Sequence, residues 1–448
     1  MKSLKTNIYF KIGTILFITL LLLIPTAMIE SLINERQATQ EQAISEVSGK
    51  WANSQNLVGP IVSVPFYKYM KEVTKKNKDT TTKIVKIKDY IHFLPSQLKI
   101  DGKILPEQRN RGIYEIVVYN SKINLSGNFD EIKFLNSDIP FKDIEFSKAT
   151  LSLGIDDLRG IEKQIKLNWN ASTSSFNPGV ESTDIIKTGI NAPVKIEPND
   201  SLKYNFSFNL DLKGSQILYF TPVGKITDVS INSPWKTPSF NGAFLPDNRQ
   251  ITDKGFTANW NILHLNRNYP QSWIGSKYQV NESLFGIDLL LPVDNYQKAF
   301  RSIRYAILFI AFTFLTFFFI EILNRIFIHP IQYILIGIAL IVFYTLLLSI
   351  SEHLTFNLAF IISAFATLLL IAGYIKAILK STQLTYLIIG ILSILYTFIY
   401  VIIQLEDYAL LIGSIGIFII LALVMYFSRK IDWYNLSLKE TDKLTESN

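Results

Sequence analysis

The sequence predicts a membrane protein: a six-helix transmembrane bundle carrying a large extracytoplasmic, mostly-β domain that is sandwich-like and antiparallel. Three observations predict it. One long apolar run lies near the N-terminus and five more fill most of the last third of the chain. The stretch between them alternates apolar and polar residues. Basic residues mark every second loop between the apolar runs.

A helix needs roughly 20 mainly apolar residues to cross the hydrocarbon. The first such segment covers residues 12–29 and ends at Glu30, with Lys2, Lys5 and Lys11 before it. Its apolar run exceeds that of a secretory signal and no small-residue cleavage site follows, so it reads as a retained anchor. The later spans cover 305–323, 332–349, 356–375, 384–403 and 408–427. Arg325, Lys376, Lys380, Arg429 and Lys430 follow spans two, four and six, whereas Glu352, Glu406 and Asp407 follow spans three and five. Basic loops face the cytoplasm. This predicts an N-terminal segment (1–11) and a tail (428–448) that are both cytoplasmic, with residues 30–304 outside. Arg301 and Arg304 oppose that orientation and are outweighed by translocation of the whole preceding domain.

Residues 31–50 are rich in Glu, Gln and Ala and predict a helix continuing out of the first span. Strand signals follow. Leu202, Tyr204, Phe206, Phe208, Leu210 and Leu212 alternate with polar residues, the pattern of a half-buried antiparallel strand closed by a turn at Gly214. Ile165, Leu167 and Trp169 alternate, as do Phe256, Ala258, Trp260 and Ile262. Residues 113–119 and 123–129 flank Asn120-Ser121 and predict a hairpin there. The Ser-, Asn- and Pro-rich stretch 172–200 is the expected division if the domain holds two subdomains. Residues 68–88 carry eight lysines and predict a soluble hairpin with its tip near 77–80; a contact for anionic polymers or headgroups is the functional alternative.

Composition excludes several functions. The chain has no cysteine, so disulfides, cysteine-ligated clusters and thiol catalysis are ruled out. The net charge of +7 is distributed between span ends and the lysine-rich stretch, which argues against nucleic acid as a partner. There is no P-loop, dinucleotide fingerprint, HExxH or GxSxG, and the four histidines, His92, His264, His329 and His353, are scattered. No catalytic, metal or cofactor site is predicted, and the chain does not read as an enzyme.

The candidate residues lie mainly in the bundle. Glu321 follows Phe317, Phe318 and Phe319 near the inner end of span two. A carboxylate facing lipid is costly, so it must face another helix, water or a cation. Arg325 is its i+4 neighbour in the favourable order, which predicts a structural clamp; proton or substrate handling is the alternative. His329-Pro330 occupies the next turn, where proline starts the third span. Glu352 and His353 stand where that span emerges, as helix-end or interdomain contacts. Trp433, with Tyr434, predicts an interfacial aromatic anchor.

His329-Pro330-Ile331-Gln332-Tyr333, Phe343-Tyr344-Thr345-Leu346-Leu347-Leu348 and Ser351-Glu352-His353 together resemble the CreD family of bacterial inner-membrane proteins. So do Leu22-Leu23-Ile24-Pro25, Leu57-Val58-Gly59-Pro60, Trp235 followed by Pro238-Ser239-Phe240 and Gly242-Ala243-Phe244-Leu245-Pro246, and Ile431-Asp432-Trp433-Tyr434. The resemblance implies a role in cell-envelope integrity and colicin tolerance and implies no catalytic residues. The resulting expectation is a non-enzymatic envelope protein in the lipid bilayer of the inner membrane. Its external domain would bind an envelope protein or polymer. A transporter built around Glu321 and an envelope-acting hydrolase are the rival readings.

Overall fold

The computed structural model describes residues 8–76, 79–130, 132, 139–197, 203–289, 295–324, 326–405 and 408–429. The chain forms two compact units, Met1–Gln40 with Val293–Asn448, and Glu41–Pro292. The first is helical and the second is built from strands.

In the helical unit, α1 (Ile8–Leu21) leads into α2 (Leu23–Trp51), whose later turns belong to the other unit. The break at Leu22 has a cause in Pro25, which has no amide proton to give to the preceding turn. The helix is carried across by Leu22 N–H to Ile18 O at 3.0 Å and Thr26 N–H to Leu22 O at 3.4 Å. Five further apolar helices follow a short one: α3 (Asn295–Arg304), α4 (Ala306–Asn324), α5 (Pro330–Ser351), α6 (Phe356–Leu379), α7 (Thr382–Gln404) and α8 (Ala409–Ser428). The combined α1–α2 segment and α4 to α8 are each long and apolar enough to cross a membrane. The count of six among the described residues, one N-terminal and five C-terminal, is the one the sequence predicts.

Helix α3 was not legible as an element. It buries Tyr296, Ala299 and Ile303 on one side and carries Lys298, Arg301 and Arg304, so the two arginines that opposed the predicted orientation sit on an amphipathic helix before the span. Helix α5 packs against α1, α3, α4 and α6. A Cβ on its Gly337 would meet Leu22 Cδ1 at 2.2 Å, so glycine is what lets α1 approach there. Deeper in the bundle, Tyr396 of α7 meets Phe309 of α4 and Phe343 of α5 at ring-centroid distances of 4.6 and 4.8 Å. Offset and edge-on aromatic contacts of this kind stabilise packing beyond their area.

The second unit is a pair of sheets. Its strands in chain order are β1 (Gln55–Lys76), β2 (Asp79–Phe93), β3 (Gln97–Arg111), β4 (Tyr114–Phe129), β5 (Thr150–Ile155), β6 (Lys166–Trp169), β7 (Ser172–Ser175), β8 (Asn177–Pro178) and β9 (Gly189–Pro193). They continue with β10 (Tyr204–Ser215), β11 (Ile217–Phe220), β12 (Ile226–Ser233), β13 (Pro238–Gly242), β14 (Asn248–Thr252), β15 (Gly255–Leu263), β16 (Ser272–Ile274) and β17 (Phe285–Leu289). One sheet has the order β13-β17-β11-β1-β5-β9-β8, with β2 and β16 joined beside β1. The other runs β14-β15-β12-β3-β4-β10-β6-β7. Pairing is antiparallel except between β1 and β11 and between β12 and β3. Val62, Val64 and Leu151 from the first sheet and Ile100, Leu125 and Leu210 from the second share one apolar core. Each side chain of this size contributes about 1.5–3 kcal/mol when fully buried.

Two local expectations are corrected. No hairpin turns at Asn120-Ser121; both lie inside β4, opposite Leu105 and Ile104 on one side and Lys213 and Leu212 on the other. Ser121 takes an inward position in the alternation because its hydroxyl donates to Leu212 O at 2.7 Å, which removes the cost of burying it. Gly214 is not a turn either. It lies within β10, where a Cβ would collide with the Tyr119 hydroxyl at 2.2 Å; the chain passes from this sheet to the other at Gln216, with φ of 60°. Residues 172–197, expected to hold a division, carry β7, paired into one sheet, and β8 and β9, paired into the other.

Candidate functional site

Two clusters of paired charged and polar side chains stand out in the helical unit. Glu321, on the last turn of α4, is 7% exposed. Its carboxylate forms an ion pair with Lys11 of α1, accepts from the Tyr333 hydroxyl at 3.0 Å and accepts from Ile328 N–H at 3.2 Å. Lys11 also donates to Ile328 O at 2.9 Å and stands 4.5 Å above the Phe327 ring. A carbonyl, a carboxylate and an aromatic face thus surround the ammonium, as a desolvated cation requires. The expected within-helix partner of Glu321, Arg325, lies outside the described residues. The described partners come from three other segments, which sequence spacing does not bring together.

The turn between α4 and α5 is organised by its own residues. His329 is the N-cap of α5: its Nδ1 accepts from Ile331 N–H at 3.4 Å, and Gln332 Oε1 accepts from His329 N–H at 2.9 Å. Pro330 follows as the first helical residue, where its missing amide proton costs nothing. The turn thereby presents Ile328 to Lys11 and Tyr333 to Glu321.

The second cluster lies where α5 ends. Glu352 accepts from the Tyr296 hydroxyl at 3.1 Å and has Arg36 Nε at 3.7 Å. Asn295 donates to Ser351 O at 2.6 Å. Lys298 donates to Gln404 Oε1 at 3.5 Å. Each cluster therefore sets one acid of the bundle against a base from the N-terminal helical segment and a tyrosine hydroxyl. His353, beside Glu352, is exposed.

The remaining sequence-predicted residues are elsewhere. The Trp235 indole N–H donates to Thr237 O at 3.2 Å. Phe240 of β13 is buried against Phe256 and Trp260 of the opposite sheet, at 5.7 and 5.8 Å, and so belongs to the core. Trp433 lies outside the described residues.

Sequence reasoning missed a hydrogen-bond chain in the β-unit. The Ser63 hydroxyl is 2.9 Å from His92 Nδ1, and His92 Nε2 is 3.1 Å from Asp184 Oδ2, which also accepts from the Ser182 hydroxyl at 2.8 Å. Burial holds His92 below the usual histidine range, although the Asp184 hydrogen bond pulls the other way. The neutral ring then accepts at Nδ1 from Ser63 and donates from Nε2 to Asp184. Across the sheet, Thr150, Ser63, His92 and Trp273 occupy one register row on adjacent strands. A signal for the first pair was present: a hairpin centred between residues 77 and 78 sets Ser63 opposite His92, as the observed pairing of Lys76 with Asp79 requires. Asp184 arrives from a loop and left no such signal.

These are the residue types of a nucleophilic relay, yet Ser63 is only 4% exposed and its backbone lies between two paired strands. Among the described residues no group of three or more His, Cys, Asp or Glu could hold a metal ion. A cavity of about 320 Å³ opens instead on the solvent face of the other sheet, lined by Lys99, Asp101, Asp228, Asp247, Asn259 and Asn261. Asn261 donates to Asp228 at 2.5 Å and its amide to Asp247 at 2.7 Å, which holds these acceptors in place.

Comparison with known proteins gives a consistent answer. Residues 7–434 match the family model described as inner membrane protein CreD. The chain is 31% identical over 440 residues to the inner membrane protein CreD of Escherichia coli (strain K12), covering 97% of this chain and 96% of that one. Among solved structures, the M1 zinc metallopeptidase from Deinococcus radiodurans matches at 7% identity with a TM-score of 0.18, over 38% of each chain; a likeness this slight carries no argument.

Proposed function

The chain belongs to the CreD family of inner membrane proteins, and from that membership we propose that it supports cell-envelope integrity by binding an envelope protein or polymer through its β-unit, held outside the cytoplasm. One observation carries this reading. A unit of two sheets with its own continuous core is inserted between the first and second membrane-crossing helices, whereas the later helices are joined by short connections. So much ordered structure between two spans needs a task of its own, and the polar groove on its second sheet offers carboxylate and amide groups to a hydrogen-bonding ligand.

The alternation of basic loops supports an outward-facing β-unit and cytoplasmic termini. The saturated partners of Glu321 support an anchoring bundle over a transporter, since a carried ion or proton needs an acceptor that is free to change partners. A hydrolytic activity is the second reading, favoured by the Ser63–His92–Asp184 chain and opposed by the burial of Ser63.

Photoreactive groups placed around the groove at Lys99, Asn248 and Asn259 in the intact chain, followed by mass-spectrometric identification in cells, test the proposal. A specific and repeatable envelope species captured at these sites is the expected result. Capture of nothing at correctly inserted, well-expressed positions overturns it.

A further inference from the structure

Residues 67–88 hold eight lysines against two acidic residues, a net +6 beside +7 for the entire chain. The fold turns this run into a distinct object. Beside β1, pairing with β5 ends at Ser63, opposite Thr150; beside β2, pairing with β16 covers Ile91 to Phe93. From Tyr67 onward β1 and β2 pair as strands with each other, out to Lys76 opposite Asp79, and at the base of the ribbon Tyr69 reaches Asp143 at 3.4 Å and Lys88 reaches Glu181 at 4.0 Å.

The register sorts the side chains. Tyr67 faces Lys88, Tyr69 faces Lys86 and Lys71 faces Ile84, and because alternate residues share a face these six lie together. On the other face Lys68 opposes Ile87 and Met70 opposes Val85. Tyr69 and Met70 are each 56% exposed, Ile84 64% and Ile87 40%. Lys86 Nζ lies 3.6 Å over the Tyr67 ring.

Lysines alone have an ordinary explanation, since charge on an unpaired edge prevents other strands from adding to it. That explanation does not account for the exposed aromatic and aliphatic residues between them, which promote the association that the charges would suppress. A bilayer surface accounts for both. Ammonium groups meet headgroup phosphates, tyrosines settle at headgroup level, and the Ile84 side chain enters the acyl boundary. A dissolved anionic polymer would use the charges of this face and leave Ile84 in water.

We propose that the β1–β2 ribbon is a membrane-contact element that lays its Tyr67–Tyr69–Lys71–Ile84–Lys86–Lys88 face on an anionic phospholipid surface. The proposal concerns a different surface from the groove and stands independently of what the groove binds.

Because the chain has no cysteine, Ile84→Cys provides one labelling position. The full-length protein is held in phosphatidylcholine nanodiscs with a polarity-sensitive fluorophore at that position. Phosphatidylglycerol is then introduced, in the disc or as added vesicles. The expected result is a blue shift and emission gain with phosphatidylglycerol in either location, reversed by raising salt, with Asn248→Cys labelled as an unresponsive control. Lys71→Glu combined with Lys86→Glu should abolish the shift. An unchanged spectrum overturns the proposal, as does an equal shift with phosphatidylcholine vesicles. A response to a soluble anionic polymer in place of lipid reassigns the ribbon to polymer and also overturns it. The salt titration on the otherwise unaltered ribbon keeps the test decisive if the double variant does not fold.

Discussion

Lys11 and Glu321, 310 positions apart in sequence, form a largely buried ion pair that ties α1 to the end of α4, with the lysine side chain 17% and the glutamate 8% exposed. Tyr333 and the Ile328 backbone complete it. A buried pair of this kind gains little over an apolar pair of equal volume, but removing one partner leaves the other unpaired.

Glu321→Gln or Lys11→Met should therefore each cost about 3–5 kcal/mol. The double variant should recover a large part of the loss. Thermal unfolding of the detergent-solubilised chain provides the measurement. If Glu321→Gln leaves stability unchanged while abolishing the cellular phenotype, the carboxylate works in transport and the clamp assignment is wrong.

His92 makes the β-unit sensitive to mild acid. Its folded value lies below the ordinary 6.5, mainly through burial. Above 6.5 the ring is neutral in both folded and unfolded chains, so the full contribution of the Ser63–His92–Asp184 chain is present. As pH falls below 6.5 toward the lower folded value, the unfolded chain takes up a proton that the folded chain resists, and stability declines. Asp184 and Asp89 are the charged groups that act on the ring. Unfolding should be easier at pH 5.5 than at 7.5, and His92→Gln should flatten that difference. An equal pH slope in the variant would locate the sensitivity elsewhere. Ser63→Ala separately tests the hydrolytic reading, which predicts a lost activity where a structural role predicts only a loss of about 1 kcal/mol.

Gly214→Ala tests the close approach of β10 to Tyr119. A methyl group there would overlap the hydroxyl, which itself donates to Ile217 O at 2.8 Å. A loss of about 1–3 kcal/mol is expected, seen as a lower unfolding midpoint. The same substitution at Gly179, where a Cβ meets nothing within 4 Å but φ is +93°, should cost only the backbone strain. Equal tolerance at both sites would show that Tyr119 moves aside.

Orientation is open to direct test with single cysteines. In spheroplasts, an impermeant maleimide should label Lys254→Cys in the β-unit and should spare Lys380→Cys, at the C-cap of α6, until the membrane is permeabilised. The reverse pattern would invert the proposed topology.

The helices and strands were legible wherever burial imposes a simple period. Continuous apolar runs marked the six spans, and strict alternation marked β10 and β15. The signal failed where burial and polarity conflict. Ser121 looked like a turn residue because composition does not reveal that a backbone carbonyl of the neighbouring strand satisfies its hydroxyl. Gly214 looked like a turn residue because composition does not show the tyrosine lying over it. Helix α3 is too short to stand out beside the span that follows it.

By itself the sequence determined the class of protein, the number of membrane-crossing helices and the position of the β-unit between the first two. These follow from local hydrophobicity, which the solvent reads residue by residue. Only the tertiary structure decided which base meets Glu321, that Tyr296 and Arg36 meet Glu352, and that Asp184 meets His92. Such pairings depend on where distant segments come to lie, and a short-range attraction between two polar groups leaves no trace in the composition around either one.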